Sequence, residues 1–176
     1  GDGVRALEHL REAVQHCEAT QFVYMSACTH SALGMAHVYM GDMEAARQHL
    51  DRAIKINTEA GMSFYQSVPY AFLGMMHFFS GDLASARRCA EDAVRLAQRN
   101  GERSYEGLSW MLLGAVLGAA DPSQGSVAEE YLLRGIAITE ELGAKSFSSL
   151  GHLFAGQHYA NSGQREKALE HLTTAR

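Results

Sequence analysis

Nine histidines are the side chains of this sequence best suited to chemistry. Two of them, His37 and His77, hold the same place in a phrase that occurs twice, LGMAHVYMGD at 33–42 and LGMMHFFSGD at 73–82. His30 lies seven residues before His37. Imidazoles presented by adjacent helices could ligate a transition metal or pass a proton. The surrounding sequence does not complete such a site. In the later copies of the phrase the same column holds Leu117 and Tyr159, and no HExxH is present. Cys17, Cys28 and Cys89 are too scattered for a Cys/His cluster. Packing or hydrogen bonding is the expected role of the histidines, and neither a metal nor a cofactor is expected.

Other reaction signatures are missing as well. There is no GxSxG, no phosphate-binding glycine loop and no dinucleotide fingerprint. The carboxylates alternate with arginines, as in Arg47 with Asp51 and Arg88 with Asp92. Pairs at that spacing contribute about 0.2–0.5 kcal/mol each and mark a solvated helix face. A net charge of -5 without a basic stripe argues against nucleic acid as the main partner. No apolar run approaches the roughly 20 residues of a membrane helix, so no membrane association is expected. An odd number of cysteines without CxxC points to a reducing, cytoplasmic setting.

The elements that would position these residues are helices in a repeat. Apolar residues recur at three-and-four spacing from Leu7 through Cys17 and again along Ala46, Leu50, Ala53 and Ile54. Gly34, Gly74, Gly114 and Gly156 are separated by 40, 40 and 42, and Ala46, Ala86, Ala128 and Ala168 by 40, 42 and 40. Two residues are therefore inserted between Gly114 and Ala128. Helices are predicted at 4–18, 21–40, 43–59, 63–80, 83–99, 102–119, 126–142, 145–162 and from 165 to the end. Gly41-Asp42 and Gly81-Asp82 have the chemistry of a left-handed cap followed by an N-cap, and Gly1-Asp2 has the same form. Ser126 with Glu129 has the spacing of a capping box. The organisation read from these offsets is one array over 1–176: a partial unit at 1–20, then units at about 21–60, 61–100, 101–142 and 143–176. A start without methionine and an end inside a helical pattern suggest a fragment of a longer protein.

Each unit carries a large residue, then Leu-Gly, then an aromatic or His, a turn glycine, and two small residues seven apart. In the second unit these are Tyr70, Leu73, Gly74, His77, Gly81, Ala86 and Ala93. The pattern resembles the tetratricopeptide repeat (TPR) family. The resemblance implies an all-α, right-handed superhelix of about nine helices in antiparallel pairs. It departs from the family in its longer period and in having Gly61, Gly101 and Gly143 in place of a closing proline. The long period, and the segment GHLFAGQHYANSGQREKALEHL, are similar to the C-terminal arrays of bacterial nucleotide cyclases and ATPase-linked regulators.

In arrays of this kind the first helix of each pair lines a concave face. The register then implies a peptide-binding groove that includes Met35, Tyr39, Val68, Met75, Phe78, Phe79, Leu108, Met111, Leu150 and Gln157. Such an apolar, methionine-bearing lining suits an amphipathic helix or extended peptide. Ser31, Met35 and Val68 stand where related repeats carry the Lys and Asn that clamp a C-terminal carboxylate, so that ligand is not expected. The expected function is a non-catalytic protein-interaction scaffold and regulatory module of a larger bacterial signalling protein. A ligand-sensing array controlling an attached effector is the alternative, and homo-oligomerisation through exposed apolar ends is a third reading.

Overall fold

The computed structural model describes residues 3–175, which form nine α-helices and no strand. They are α1 (Gly3–Ala19), α2 (Val23–Met40), α3 (Met43–Glu59), α4 (Ser67–Phe79), α5 (Leu83–Asn100), α6 (Arg103–Ala120), α7 (Gly125–Glu141), α8 (Lys145–Asn161) and α9 (Arg165–Thr174). The turn expected at Gly1-Asp2 lies outside the described residues, as does Arg176. Helices adjacent in sequence pack together throughout. In addition α2, α4, α6 and α8 pack against one another in succession, whereas among the described residues the backbones of α3, α5, α7 and α9 stay apart, with Lys167 of α9 still reaching Glu129 of α7. The first helices of the pairs thus form a tight inner layer and the second helices a splayed outer one, which is the curvature of a superhelix.

The repeated phrase builds the turn between paired helices. Gly41 and Gly81 both adopt φ of +79°, the left-handed region that strains any residue with a Cβ. The Gly41 N–H donates to the Val38 carbonyl at 3.1 Å and the Asp42 N–H to the His37 carbonyl at 3.0 Å. One carboxylate oxygen of Asp42 accepts from the Ala45 N–H at 3.2 Å, and that of Asp82 from the Ser85 N–H at 3.0 Å. The other oxygen faces the histidine, 3.4 Å from His37 Nδ1 and 3.2 Å from His77 Nδ1. The contact at His37 falls short of hydrogen-bond geometry. Burial pushes the His77 imidazole down, against the opposing pull of Asp82.

Hydrogen bonds from Ser85, its backbone N–H first, hold the Asp82 carboxyl below its ordinary 3.8. A depressed carboxyl contributes stability above its unfolded pKa and loses it as pH falls through the folded value. Asp82→Ala should therefore lower the urea midpoint at neutral pH, since it removes the N-cap of α5. The difference from wild type should vanish in strong acid.

The recurrent glycines sit where helices approach most closely. A Cβ on Gly34 would lie 2.6 Å from Leu50 Cγ, on Gly74 2.8 Å from Leu112 Cδ2, and on Gly156 2.6 Å from Leu172 Cγ. Ala46, Ala86 and Ala128 are fully buried. A continuous core runs through the last four units, centred on Phe72, Met75, Leu108, Met111, Leu112 and Leu132. An aromatic column stitches the units along one edge. Tyr65 meets Tyr105 at 5.5 Å and Tyr105 meets Phe147 at 5.6 Å, and each step is one repeat.

Two elements differ from the sequence expectation. α4 starts at Ser67 rather than 63, because Pro69 fits only the first turn of a helix and Tyr65 takes φ of +60°. Its N-terminus is capped by a residue 35 positions away: the Glu102 carboxylate accepts from both the N–H (3.2 Å) and the hydroxyl of Ser67. Glu102 is buried and also accepts from Asn100 Nδ2. Glu102→Ala leaves those donors unpaired and should cost about 2 kcal/mol, with the loss visible in the unfolding midpoint.

The second difference is the two-residue insertion. It folds as a 3-10 turn, Pro122–Gln124, and the Asp121 side chain accepts from the Ser123 N–H at 2.9 Å. α7 therefore begins at Gly125, and the expected Ser126–Glu129 capping box does not form. Glu129 instead reaches the next unit, accepting from the Tyr159 hydroxyl at 2.8 Å and Lys167 at 3.1 Å.

Candidate peptide-binding groove

α4 and α6 are apolar almost all round, as in SVPYAFLGMMHFF, and so can be buried on two sides while still facing inward on a third, and α8 turns its apolar side toward them. Their inner faces enclose a cleft of about 390 Å3. Phe78 and Phe79 come from α4, Ala115, Gly118 and Ala119 from α6, and Leu153, Phe154, Gln157, His158 and Asn161 from α8. Phe78 meets Phe154 edge-on at 5.8 Å, so α4 and α8, two units apart, touch across the groove. Gly118 makes room for His158: a Cβ there would lie 2.7 Å from the imidazole Nδ1. A shallower depression continues along the same face, where Tyr39 of α2 stands opposite Leu150 and Leu153. Among the described residues neither is lined by a carboxylate, lysine or arginine. Burial pushes the Tyr39 phenol up, and it stays neutral at all physiological pH.

The ten residues implied by the register divide three ways. Phe78, Phe79 and Gln157 line the cleft, and Tyr39 and Leu150 line its continuation. Met35 is half-buried against the core. Val68, Met75, Leu108 and Met111 are corrected to core positions, with 3% exposure for Val68 and 0% for the other three. The reason is the tight inner layer: these four side chains are enclosed by neighbouring helices rather than facing the groove. Met111, for instance, sits against Gly135 and Gly151. Phe154 and His158 were not expected in the groove. Their place depends on how sharply the array coils, which no local spacing encodes.

A larger cavity, about 630 Å3, lies elsewhere, at the α1–α2 corner against the end of α3. It is open, with Glu18, Arg52 and Glu59 at its edge, and it gathers none of the groove residues.

Residues 25–99 match the family model described as tetratricopeptide repeat. Over this stretch the chain is similar to the tetratricopeptide repeat. The same helix pairing continues through α9, and two solved structures cover the array. BtubC (BKLC) from P. vanneervenii is similar over 99% of this chain and 72% of its own, with a TM-score of 0.71 and 21% identity. A Podosopora anserina putative kinesin light chain, with nearly identical TPR-like repeats, is similar over 100% of this chain and 86% of its own, with a TM-score of 0.63 and 20% identity. At such identities the likeness is one of fold. No curated protein matches the sequence. The tetratricopeptide fold is a scaffold type that generally binds protein partners. No helix of this array is long and apolar enough to cross a membrane among the described residues.

Proposed function

We propose that the chain is a non-catalytic interaction scaffold whose groove receives the apolar side chains of an amphipathic helix or an extended peptide. The observation that carries this reading is the inner face itself. Tyr39, Phe79 and Leu153 remain about half exposed there, around clefts lined by no carboxylate, lysine or arginine among the described residues. Large apolar side chains gathered on a concave surface mark a binding site. Peptides selected from a display library against the wild-type array should be apolar on one face. Calorimetry should show binding at least about tenfold weaker to a Phe79→Glu, Leu153→Glu double variant, a loss of about 1.4 kcal/mol or more. Equal affinity for an equally folded variant would reject the groove.

A second reading is small-ligand sensing, which the cleft volume supports, since small-molecule sites span roughly 300–1,000 Å3. A saturable rise in melting temperature with one metabolite would favour it. Placement within a larger bacterial signalling protein rests on the resemblance of residues 151–172 to the ends of such arrays, and placement in the cytoplasm on the unpaired cysteine pattern. A cyclase or ATPase domain in the flanking sequence is the outcome this proposal expects.

A further inference from the structure

Two side-chain chains in this array have the same construction. In the first unit Glu18 Oε1 lies 3.4 Å from His30 Nε2, and His30 Nδ1 lies 3.0 Å from His49 Nδ1. In the fourth, Glu140 Oε1 lies 3.0 Å from His152 Nε2, and His152 Nδ1 lies 2.9 Å from His171 Nδ1. The three positions are equivalent between the units, so each chain links the outer helix of one pair to both helices of the next. Ring centroids 5.2 and 5.0 Å apart show that the two nitrogens meet end-on, as a shared proton requires. In the second unit this register holds Thr58, Tyr70 and Cys89, and in the third Gln98, Trp110 and Tyr131. None of these gains a proton near neutral pH.

The carboxylate fixes the tautomers. Glu18 accepts the Nε2–H of His30, which leaves His30 Nδ1 as an acceptor, and His49 must donate its Nδ1–H. Of the two imidazoles, only His49 then keeps a free lone pair, on Nε2. One added proton can rest there with every hydrogen bond intact. A second must go to His30 Nδ1, and two N–H groups would then face each other at hydrogen-bond distance.

We propose that these two Glu–His–His chains are acid-operated latches that loosen the first and fourth units while leaving the second and third closed. The groups facing His30 are Glu18, His49 and Arg52; those facing His49 are His30, His37, Arg11 and Glu18. His171 faces His152, Tyr159, Glu140, Lys167 and its neighbour Glu170. Burial first, and then the neighbouring cations and imidazoles, hold His49 and His171 below their ordinary 6.5; burial, with Arg52, does the same for His30. A histidine depressed in the folded state lets the unfolded chain bind more protons below that value. Stability is therefore present above 6.5 and falls as pH drops below it. α9 is easily released, since among the described residues it packs its backbone against α8 alone and reaches α7 only through the exposed Lys167–Glu129 pair.

Asparagine at His49 and His171 keeps an N–H for the partner imidazole but cannot titrate. The wild type should melt on the order of 5 °C lower at about pH 5.5 than at about pH 7.5. The His49→Asn, His171→Asn variant should lose less than about half of that difference. His77 titrates equally in both proteins and cancels. An unchanged pH dependence in the variant would overturn the proposal. Hydrogen exchange on the wild type gives an independent reading that needs no variant. With intrinsic rates corrected, acid should reduce protection in α2–α3 and α8–α9 and spare α5–α6. Uniform loss of protection along the array would overturn the latch.

Discussion

Met75→Glu removes cooperative folding of the array, whereas Phe79→Glu, four residues along the same helix, leaves it nearly as stable as the wild type. Met75 has no exposed surface, and it belongs to the central core with Phe72, Leu108 and Leu112. A carboxylate there must either lose its hydration or take up a proton and bury an unpaired hydroxyl. Either route adds several kcal/mol to the loss of the thioether's packing. A cost of about 5 kcal/mol is a large share of the roughly 5–15 kcal/mol by which a domain is stable. Phe79 is half exposed on the groove rim, and a charge there remains hydrated. Its replacement should cost about 1 kcal/mol or less. Circular dichroism melts of the two variants separate the cases: loss of helicity in the first at room temperature, a near-normal transition in the second.

Gly135→Ala should destabilise the protein, against what the repeat register suggests. The other units carry Ala53, Ala93 and Ala175 at this position, and alanine is favoured over glycine within a helix by roughly 1 kcal/mol. On sequence grounds the change looks neutral or stabilising. In the fold, Gly135 of α7 faces Gly107 of α6, and a methyl at 135 would collide with the Gly107 carbonyl and with Met111. The obstacle is backbone on one side, with the Met111 N also only 2.9 Å away. A Cβ on Gly107 would likewise lie 3.0 Å from the Gly135 carbonyl. The third unit has thus moved its paired helices closer together than the others, and the two glycines are matched. Overpacking of this kind costs about 1–3 kcal/mol, and the rigid obstacle places Gly135→Ala near 3, less the helix-propensity gain. A net loss of about 2 kcal/mol, read as a lower urea midpoint with unchanged slope, is the expected outcome. A variant as stable as the wild type would show that the pair separates freely.

The pairing of helices was legible because it is written locally. Gly41-Asp42 and Gly81-Asp82 encode their turns through a positive φ and a carboxylate cap, both of which need only neighbouring residues. The fixed offsets of Gly34, Gly74, Gly114 and Gly156 marked close approaches that the structure contains. Three features were not legible, each for lack of a local signal. The cap of α4 comes from Glu102, a whole unit away. The insertion before α7 made Asp121, not Ser126, the residue that organises the turn. The groove register treated every unit as equally curved, and so placed Val68, Met75, Leu108 and Met111 on a surface that the tight inner layer closes. Tyr39, Phe78, Phe79, Leu150 and Gln157 kept their inward-facing places because they lie toward the open side of that layer. The histidines were expected to pack or hydrogen-bond. His37 and His77 stand beside their turn aspartates, whereas the pairing of His30 with His49 and of His152 with His171 joins positions 19 apart that no motif connects.

The central claim, that partners enter the concave face between α4, α6 and α8, is tested most directly by methyl NMR with a display-selected peptide. The account predicts the largest shifts at the methyls of Ala115, Ala119, Leu150 and Leu153, with Val127 and Leu133 of the outer helix α7 unmoved. Shifts centred on Val127 and Leu133, or on Leu169 at the end of the array, would contradict it.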